Sequence, residues 1–375
     1  MKIYWNVALG TLAALVLTAS TLAAQDASQD GFGGALDVTE VLLDVLVTDS
    51  DGNVVIGLTE DDFVITEGKT EIPVNSASFY SNRRFLESSQ IAQKMGVEHN
   101  VVPADRYFIL FFHDVSQIMP EINTAQLDAA RRLKKWVETE LLLNDRVAVV
   151  SYDVKLKVHL DFTTNRQKII AAVDDAVTHK NTGTHWPSRQ EETTGPSLLR
   201  NLPTGKDLGK QTRRIYDGIK VLAEATSDIT GRKNMILFSL GFDPANAAFV
   251  TSRETLGMWT PDVRYWPPML EALNNENVAV YAIDLISSTR SGTIQDRVAN
   301  QGLSMLADDT GGQYYFHYNT FDTPLKKVAD DNNGYYLLSY SAEHDSGKKG
   351  YQRVEVKTRN PKLQVRARTG YRYGT

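Results

Sequence analysis

The sequence predicts an α/β fold, a doubly wound and mostly parallel sheet, with a small β-sandwich formed by the N- and C-terminal segments. Three observations predict it. Across residues 105–333, apolar runs of strand length alternate with segments whose apolar residues recur at helical spacing, the pattern of right-handed crossovers onto a parallel sheet. The flanking stretches 36–80 and 334–373 instead alternate apolar and polar residues with a period near two. One apolar run, 107–112, passes through His113 to Asp114 and then Ser116. Oxygen-bearing side chains are therefore expected at the carboxyl end of a buried strand, where ligands of open α/β sheets bind.

The elements follow in order. Val38, Val41, Leu43, Val45 and Val47 mark a first strand, and Asp51-Gly52 a hairpin turn into 54–56. Strands are expected at 63–65 and 72–74, with Glu67-Gly68-Lys69 as the turn between them. Residues 81–104 have mixed charge and weak patterning and read as a linker. After the strand 107–112, Leu127, Ala130, Leu133, Val137 and Leu141 place a helix over 125–143. Strands follow at 146–152 and 156–162, a helix at 167–177, and a long polar loop over 179–209. A helix at 215–225 and a strand at 235–240 lead to a second long loop, 241–262. Next come a helix near 269–274, a strand at 278–283, a helix at 298–307, a strand at 313–318 and a helix at 325–330. The tail returns to β pattern at 335–341, 352–358 and 363–367. The two β segments bury their apolar faces most simply against each other; two separate appendages would leave more unpaired edges.

Composition narrows the function. A net charge of −6 argues against a nucleic-acid binder. The basic run Arg131, Arg132, Lys134 and Lys135 reads as the solvated face of a helix. The chain has no cysteine, which excludes thiol catalysis, Cys-ligated zinc, iron–sulfur clusters and a lipid anchor on Cys. Lys2, the apolar stretch 7–17 and small residues up to Ala23-Ala24 read as a signal peptide over residues 1–24. That apolar stretch is short for a membrane span, so no transmembrane span is expected. Export without Cys fits a bacterial periplasmic or secreted protein. No His-Glu-x-x-His pattern, Gly-x-Ser-x-Gly elbow or phosphate-binding glycine loop is present. Asp49-Ser50-Asp51-Gly52-Asn53 resembles the start of a calcium loop, but Glu60 sits one place short, and the hairpin reading is better.

Asp114-Val115-Ser116, the loop Thr182-Gly183-Thr184 and the strand ending Phe238-Ser239-Leu240-Gly241 together resemble a von Willebrand factor type A domain. Further segments make the whole chain similar to the secreted VWFA-related proteins of Acidobacteria. They are Leu58-Thr59-Glu60-Asp61-Asp62-Phe63, Leu306-Ala307-Asp308-Asp309-Thr310-Gly311-Gly312 and the tail Val365-Arg366-Ala367-Arg368-Thr369-Gly370-Tyr371. The resemblance implies a doubly wound fold over 105–333 and a binding role. It also implies a site for Mg²⁺ or another divalent cation, built from an Asp-x-Ser-x-Ser loop, a Thr and a third-loop Asp. Asp114 and Ser116 match the first two positions, and Ile118 breaks the third. Thr184, or alternatively Thr182, stands for the Thr. Leu240 occupies the third-loop position, with Asp243 as a substitute. Asp114 and Ser116 can equally serve backbone amides at the strand end.

Asp284 ends the strand 278–283 on the same rim and either adds negative charge there or caps the following loop. Trp186 and Trp259 on the two long loops, with Tyr265 and Trp266 just beyond, either form a binding surface or fold back over the sheet. The leading expectation is an exported, non-enzymatic binding protein that engages a protein partner through this rim. A structural envelope subunit with an inert rim is the alternative. A hydrolase using the rim carboxylates ranks last, because no nucleophile with its base is evident.

Overall fold

Val41, Leu43, Val45 and Val47 are all buried along β1 (Leu36–Thr48), so the period of two in the sequence is the inward face of a strand. The computed structural model describes residues 36–81, 105–113, 122–178, 195–242, 261–285, 294–316 and 318–374. After β1 come β2 (Phe63–Glu67), β3 (Thr70–Ile72) and β4 (Ser76–Ser81). The tail supplies β11 (Gly334–Asp345), β12 (Gly350–Thr358), β13 (Gln364–Arg366) and β14 (Gly370–Tyr373). These form two four-stranded sheets, ordered β13-β1-β11-β4 and β14-β12-β2-β3. Leu43 stands opposite Leu338 in the β1–β11 ladder, and Val356 opposite Ile65 in the β12–β2 ladder. Both sheets contribute to one apolar cluster, including Leu43, Val45, Phe63, Ile65, Tyr336, Leu338 and Val354. The two ends of the described chain thus make a sandwich whose core neither end could build alone.

The stretch 54–56 forms no strand; it is tied to β1 by a single bridge, Thr48 to Val54. The Asp49 carboxylate instead organises the turn. Its Oδ1 accepts from the amides of Asp51 (2.9 Å) and Asn53 (2.8 Å) and its Oδ2 from Asn53 Nδ2 (3.0 Å); the side-chain bond from Asn53, then its backbone bond, lead in holding the Asp49 pKa below the usual range.

The α/β layer has β5 (Tyr107–His113), β6 (Arg146–Tyr152), β7 (Leu156–Thr163), β8 (Lys233–Ser239), β9 (Val278–Asp284) and β10 (Gln313–Tyr315). Their order is β10-β9-β8-β5-β6-β7, all parallel except the edge strand β7. Its helices are α1 (Ile122–Thr139), α2 (Arg166–Thr178), α3 (Gly205–Gln211), α4 (Ile215–Glu224), α5 (Trp266–Asn275), α6 (Ile294–Asp309) and α7 (Asp322–Asp331). Both faces of the sheet are covered, which is why its strands read as continuous apolar runs. Ile109, Phe111, Leu237 and Val280 pack under α4, α5 and α6; Phe108, Phe112, Ile236 and Ile283 pack under α1, α2 and α7.

The polar loop expected over 179–209 is corrected in its second half. Residues 179–194 lie outside the described residues, but Gly205–Gln211 is helical, and Leu198, Leu202 and Leu208 are buried. Three leucines spread among polar residues are too sparse to show a period. The segment is pinned instead by Asp161, whose carboxylate accepts from Ser197 Oγ and the Leu198 amide at 2.5 and 2.8 Å. In the basic run, Arg131, Arg132 and Lys134 pair with Asp128, Asp322 and Asp174 at 3.1, 2.8 and 2.6 Å, so these charges are locally balanced.

A lysine is buried near where sandwich and α/β layer meet. Lys233, 3 % exposed, begins β8 and donates to the Ile229 carbonyl at 2.8 Å. Burial pushes its pKa down from 10.5 to about 8, against the pull of Glu276 and Asp44. The unfolded chain therefore binds more protons between these values, and stability rises with pH across that window. The expected gain is about 1.5 kcal/mol between pH 8 and 9.5. Above pH 10 the buried tyrosines, Tyr335 and Tyr340 among them, act in the opposite direction, because burial raises their pKa values. Lys233→Met is expected to raise stability at pH 7 by about 1–2 kcal/mol and to flatten the rise. Urea midpoints measured at several pH values check both; an unchanged slope in the variant would contradict the assignment.

Candidate functional site

The winding of the sheet reverses between β5 and β8. From β5 the chain builds outward through β6 and β7, then returns to build β8, β9 and β10 on the other side. The crevice at the carboxyl ends of these two strands is the topological switch point, the usual ligand position of such sheets. Among the described residues, two side chains meet there. His113 closes β5 and Ser239 closes β8; His113 Nδ1 and Ser239 Oγ are 2.8 Å apart. The Gly241 amide donates to Ser239 Oγ at 3.0 Å, and Gly241 takes φ +111°, which only glycine adopts easily. Ser239 Oγ is also 3.4 Å from the Gly241 carbonyl, to which it can donate, so the hydroxyl is tied to both the imidazole and its own turn. Gln126 of α1 donates to the His113 carbonyl at 3.2 Å.

A serine against a histidine invites a nucleophile reading. Burial speaks against it: Ser239 is 0 % and His113 5 % exposed, so no substrate atom reaches Oγ in this arrangement. The pair holds together the points where β5 and β8 release the chain. Sequence reasoning missed it, because 126 residues separate its members. The signal was a polar residue ending each of two buried apolar strands.

Asp284 is fully buried at the end of β9. Its carboxylate accepts from Tyr314 Oη at 2.9 Å, and its carbonyl accepts from Tyr318 Oη. Burial, then the charge of Asp284, keeps the Tyr314 pKa well above the phenol range, so Tyr314 remains a donor. The expectation that Asp284 presents accessible charge at the rim is corrected: its charge is spent inside the fold, fastening β10 to β9. Trp266 is likewise corrected. It begins α5 at 5 % exposure, edge-on to Phe242 at 5.6 Å and near Tyr216 at 6.4 Å, so it belongs to the core. Tyr265 beside it is half-buried, with the Arg214 guanidinium 4.1 Å and that of Arg264 5.2 Å from its ring centre. Asp114, Ser116, Thr182, Thr184, Asp243, Trp186 and Trp259 lie outside the described residues.

Leu240, where the resemblance expects a third-loop acid, is fully buried in the apolar cluster under α1, α2 and α7. Among the described residues no group of three or more His, Asp or Glu side chains gathers to hold a metal ion. The described part of the rim therefore does not fit a divalent cation by itself. Among the described residues no helix is long and apolar enough to cross a membrane.

No family model matches this chain, and no curated protein does. Solved structures are similar at low identity. The von Willebrand factor domain of the type V pili tip protein Mfa5 from Porphyromonas gingivalis is 12 % identical, with 61 % of this chain and 95 % of that one covered, at a TM-score of 0.37. Proximal thread matrix protein 1 from the mussel byssus is 16 % identical over 60 % of this chain at a TM-score of 0.35; the match spans 48 %, about half, of that protein's length. A further structure of the mussel protein has a zinc-occupied MIDAS motif. The PilB minor pilin from Streptococcus sanguinis is 13 % identical over 63 % of this chain and 64 % of its own, at 0.35. Likeness at this level says nothing of a ligand or partner. Fold and rim define this chain as a doubly wound α/β protein with a switch-point crevice and an accessory β-sandwich.

Proposed function

We propose that this chain is an exported, non-enzymatic adhesion protein, periplasmic or secreted, that engages a protein partner through the strand-end rim of a degenerate type A domain. The observation that carries this reading is the switch point itself. His113 and Ser239 lock β5 and β8 together, and the chain leaves these strands toward Asp114 and Ser116 on one side and Asp243 on the other. Rigid strand ends presenting variable loops are a general design for recognition. Mg²⁺ or another divalent cation, when bound, would be held by Asp114, Ser116, Thr184 and Asp243 and would supply a positive point for a partner's carboxylate. With Ile118 and Leu240 in place of two oxygen donors, that hold is weak. Trp186 and Trp259 are the proposed apolar contacts.

Chemical crosslinking and capture from envelope extracts, with and without chelator, test this reading. Asp114→Ala with Ser116→Ala, and Trp259→Ala, are each expected to weaken capture at least about tenfold, while chelator has the smaller effect. Calorimetric titration of Mg²⁺ into wild type and Asp114→Ala isolates the metal; no heat in wild type would remove the cation from the proposal. A second reading, assembly through the sandwich, is favoured by Val38 and Leu42, 66 % and 50 % exposed on one face of β1. Val38→Glu with Leu42→Glu abolishing capture, with the rim variants silent, would establish it instead.

A further inference from the structure

At the opposite end of the sheet, sandwich and α/β layer meet across a cleft of about 660 Å³. Gln313, the first residue of β10, and the carboxyl end of α7 form one wall; β13 and the turn after β1 form the other. This volume lies within the range of small-ligand sites. It shares no residue with the rim.

The lining has a definite chemistry. Arg366 is mostly buried, and its Nη1 donates to Gln313 Oε1 at 2.7 Å and to Asp331 Oδ2 at 2.8 Å. The guanidinium fork is thereby fixed, while its Nε and Nη2 make no hydrogen bond among the described residues. The Gln364 amide is exposed and has no partner among the described residues. Amides of Asn53, Asn333, Gln313 and Gln364 line it as well; those of Asn53, Asn333 and Gln313 are bonded to Asp49, Asp330 and Arg366 and keep part of their donor and acceptor capacity, while that of Gln364 brings both a donor and an acceptor. Three carboxylates, of Asp51, Asp330 and Asp331, face the two cations Lys327 and Arg366, so the charge is nearly balanced and selects neither a phosphate nor a polycation. Phe79 closes one side, its ring held edge-on by Tyr336 at 5.1 Å.

Donors and acceptors interleaved at near-zero net charge, beside one aromatic face, match a ligand whose every hydroxyl both donates and accepts and whose C–H face is apolar. We infer that this cleft binds a neutral oligosaccharide of two to three residues. Arg366 and Gln364 bond its hydroxyls, and Phe79 packs against a sugar ring. The site is independent of the rim and does not require the partner proposed for it.

Saturation-transfer NMR on the full chain with cellotriose, maltotriose and mannotriose tests the inference. Ser50→Trp, an exposed position on the lining, fills the cleft, and Gln364→Ala removes one amide. Both should keep the wild-type urea midpoint. At least one trisaccharide is expected to show transfer, lost in Ser50→Trp and weakened about tenfold in Gln364→Ala. No transfer from any of the three at about 10 mM would overturn the inference, as would transfer undiminished in both variants. Tighter binding of trigalacturonic acid than of every neutral sugar would overturn the neutral class.

Discussion

Asp145→Ala is expected to destabilise the protein by about 3–5 kcal/mol, a large share of the stability of an ordinary domain. Asp145 and Arg106 stand just before β6 and β5, and both are buried. Arg106 Nε and Nη2 donate to the two carboxylate oxygens at 2.7 and 2.5 Å, a bidentate pair, and Nη1 donates to the Asn332 carbonyl at 3.1 Å. Removing the carboxylate leaves a guanidinium inside the protein with the Asn332 carbonyl and the Phe108 ring, whose centre is 5.3 Å away, and no counter-charge hydrogen-bonded to it among the described residues. It also frees the Leu142 amide, which donates to Asp145 Oδ2 at 2.6 Å. The cost comes from the stranded charge more than from the lost bond. Asp145→Leu combined with Arg106→Met should therefore recover most of the stability. Urea unfolding of the variants decides it: a loss under about 1 kcal/mol for Asp145→Ala would mean that water reaches Arg106.

Gly312→Ala should be comparably damaging, at about 3 kcal/mol or more. A methyl group there would stand 1.9 Å from the Val280 carbonyl oxygen of β9, and backbone cannot step aside as a side chain can. The preceding Gly311 follows α6 at φ +72° and also lies against the Ala367 backbone, where a Cβ would stand 2.6 Å from the carbonyl carbon, so it both turns the chain and permits a close approach, whereas Gly312 lets the chain pass close to the sheet. The nearest relief is a shift of β10 away from β9, which would loosen Tyr314 from Asp284. Loss of near-ultraviolet tyrosine dichroism beyond the stability change would report that shift. A variant with wild-type midpoint and spectrum would refute it.

These positions differ in how far they could be read beforehand. Gly311 was legible as a helix end, since glycine after a helical run is a local signal. The clash that forbids a side chain at Gly312 was not, because its partner lies 32 residues away on another strand. The strands β5, β8 and β9 were plain in the apolar runs, and β1, β2, β11 and β12 in the period of two. The short helix α3 and the last strand β14 were not, being too brief to show a period. Asp284 was legible as a strand end, whereas Trp266 read as lying just beyond the second long loop and in fact begins α5; the burial of both depends on Tyr314, Tyr318, Phe242 and Tyr216, which no local pattern connects to them.

By itself the sequence determined the fold class, the order of its elements and the position of the strand ends after 113 and 239. Each follows from the spacing of apolar residues over a dozen positions, and local backbone geometry enforces that spacing. Only the tertiary structure decided which polar groups meet. Pairing of His113 with Ser239, of Arg106 with Asp145 and of Arg366 with Asp331 brings together residues 126, 39 and 35 positions apart. Such contacts are set by how the layers pack, and a buried polar group takes whatever partner that packing brings within hydrogen-bond reach.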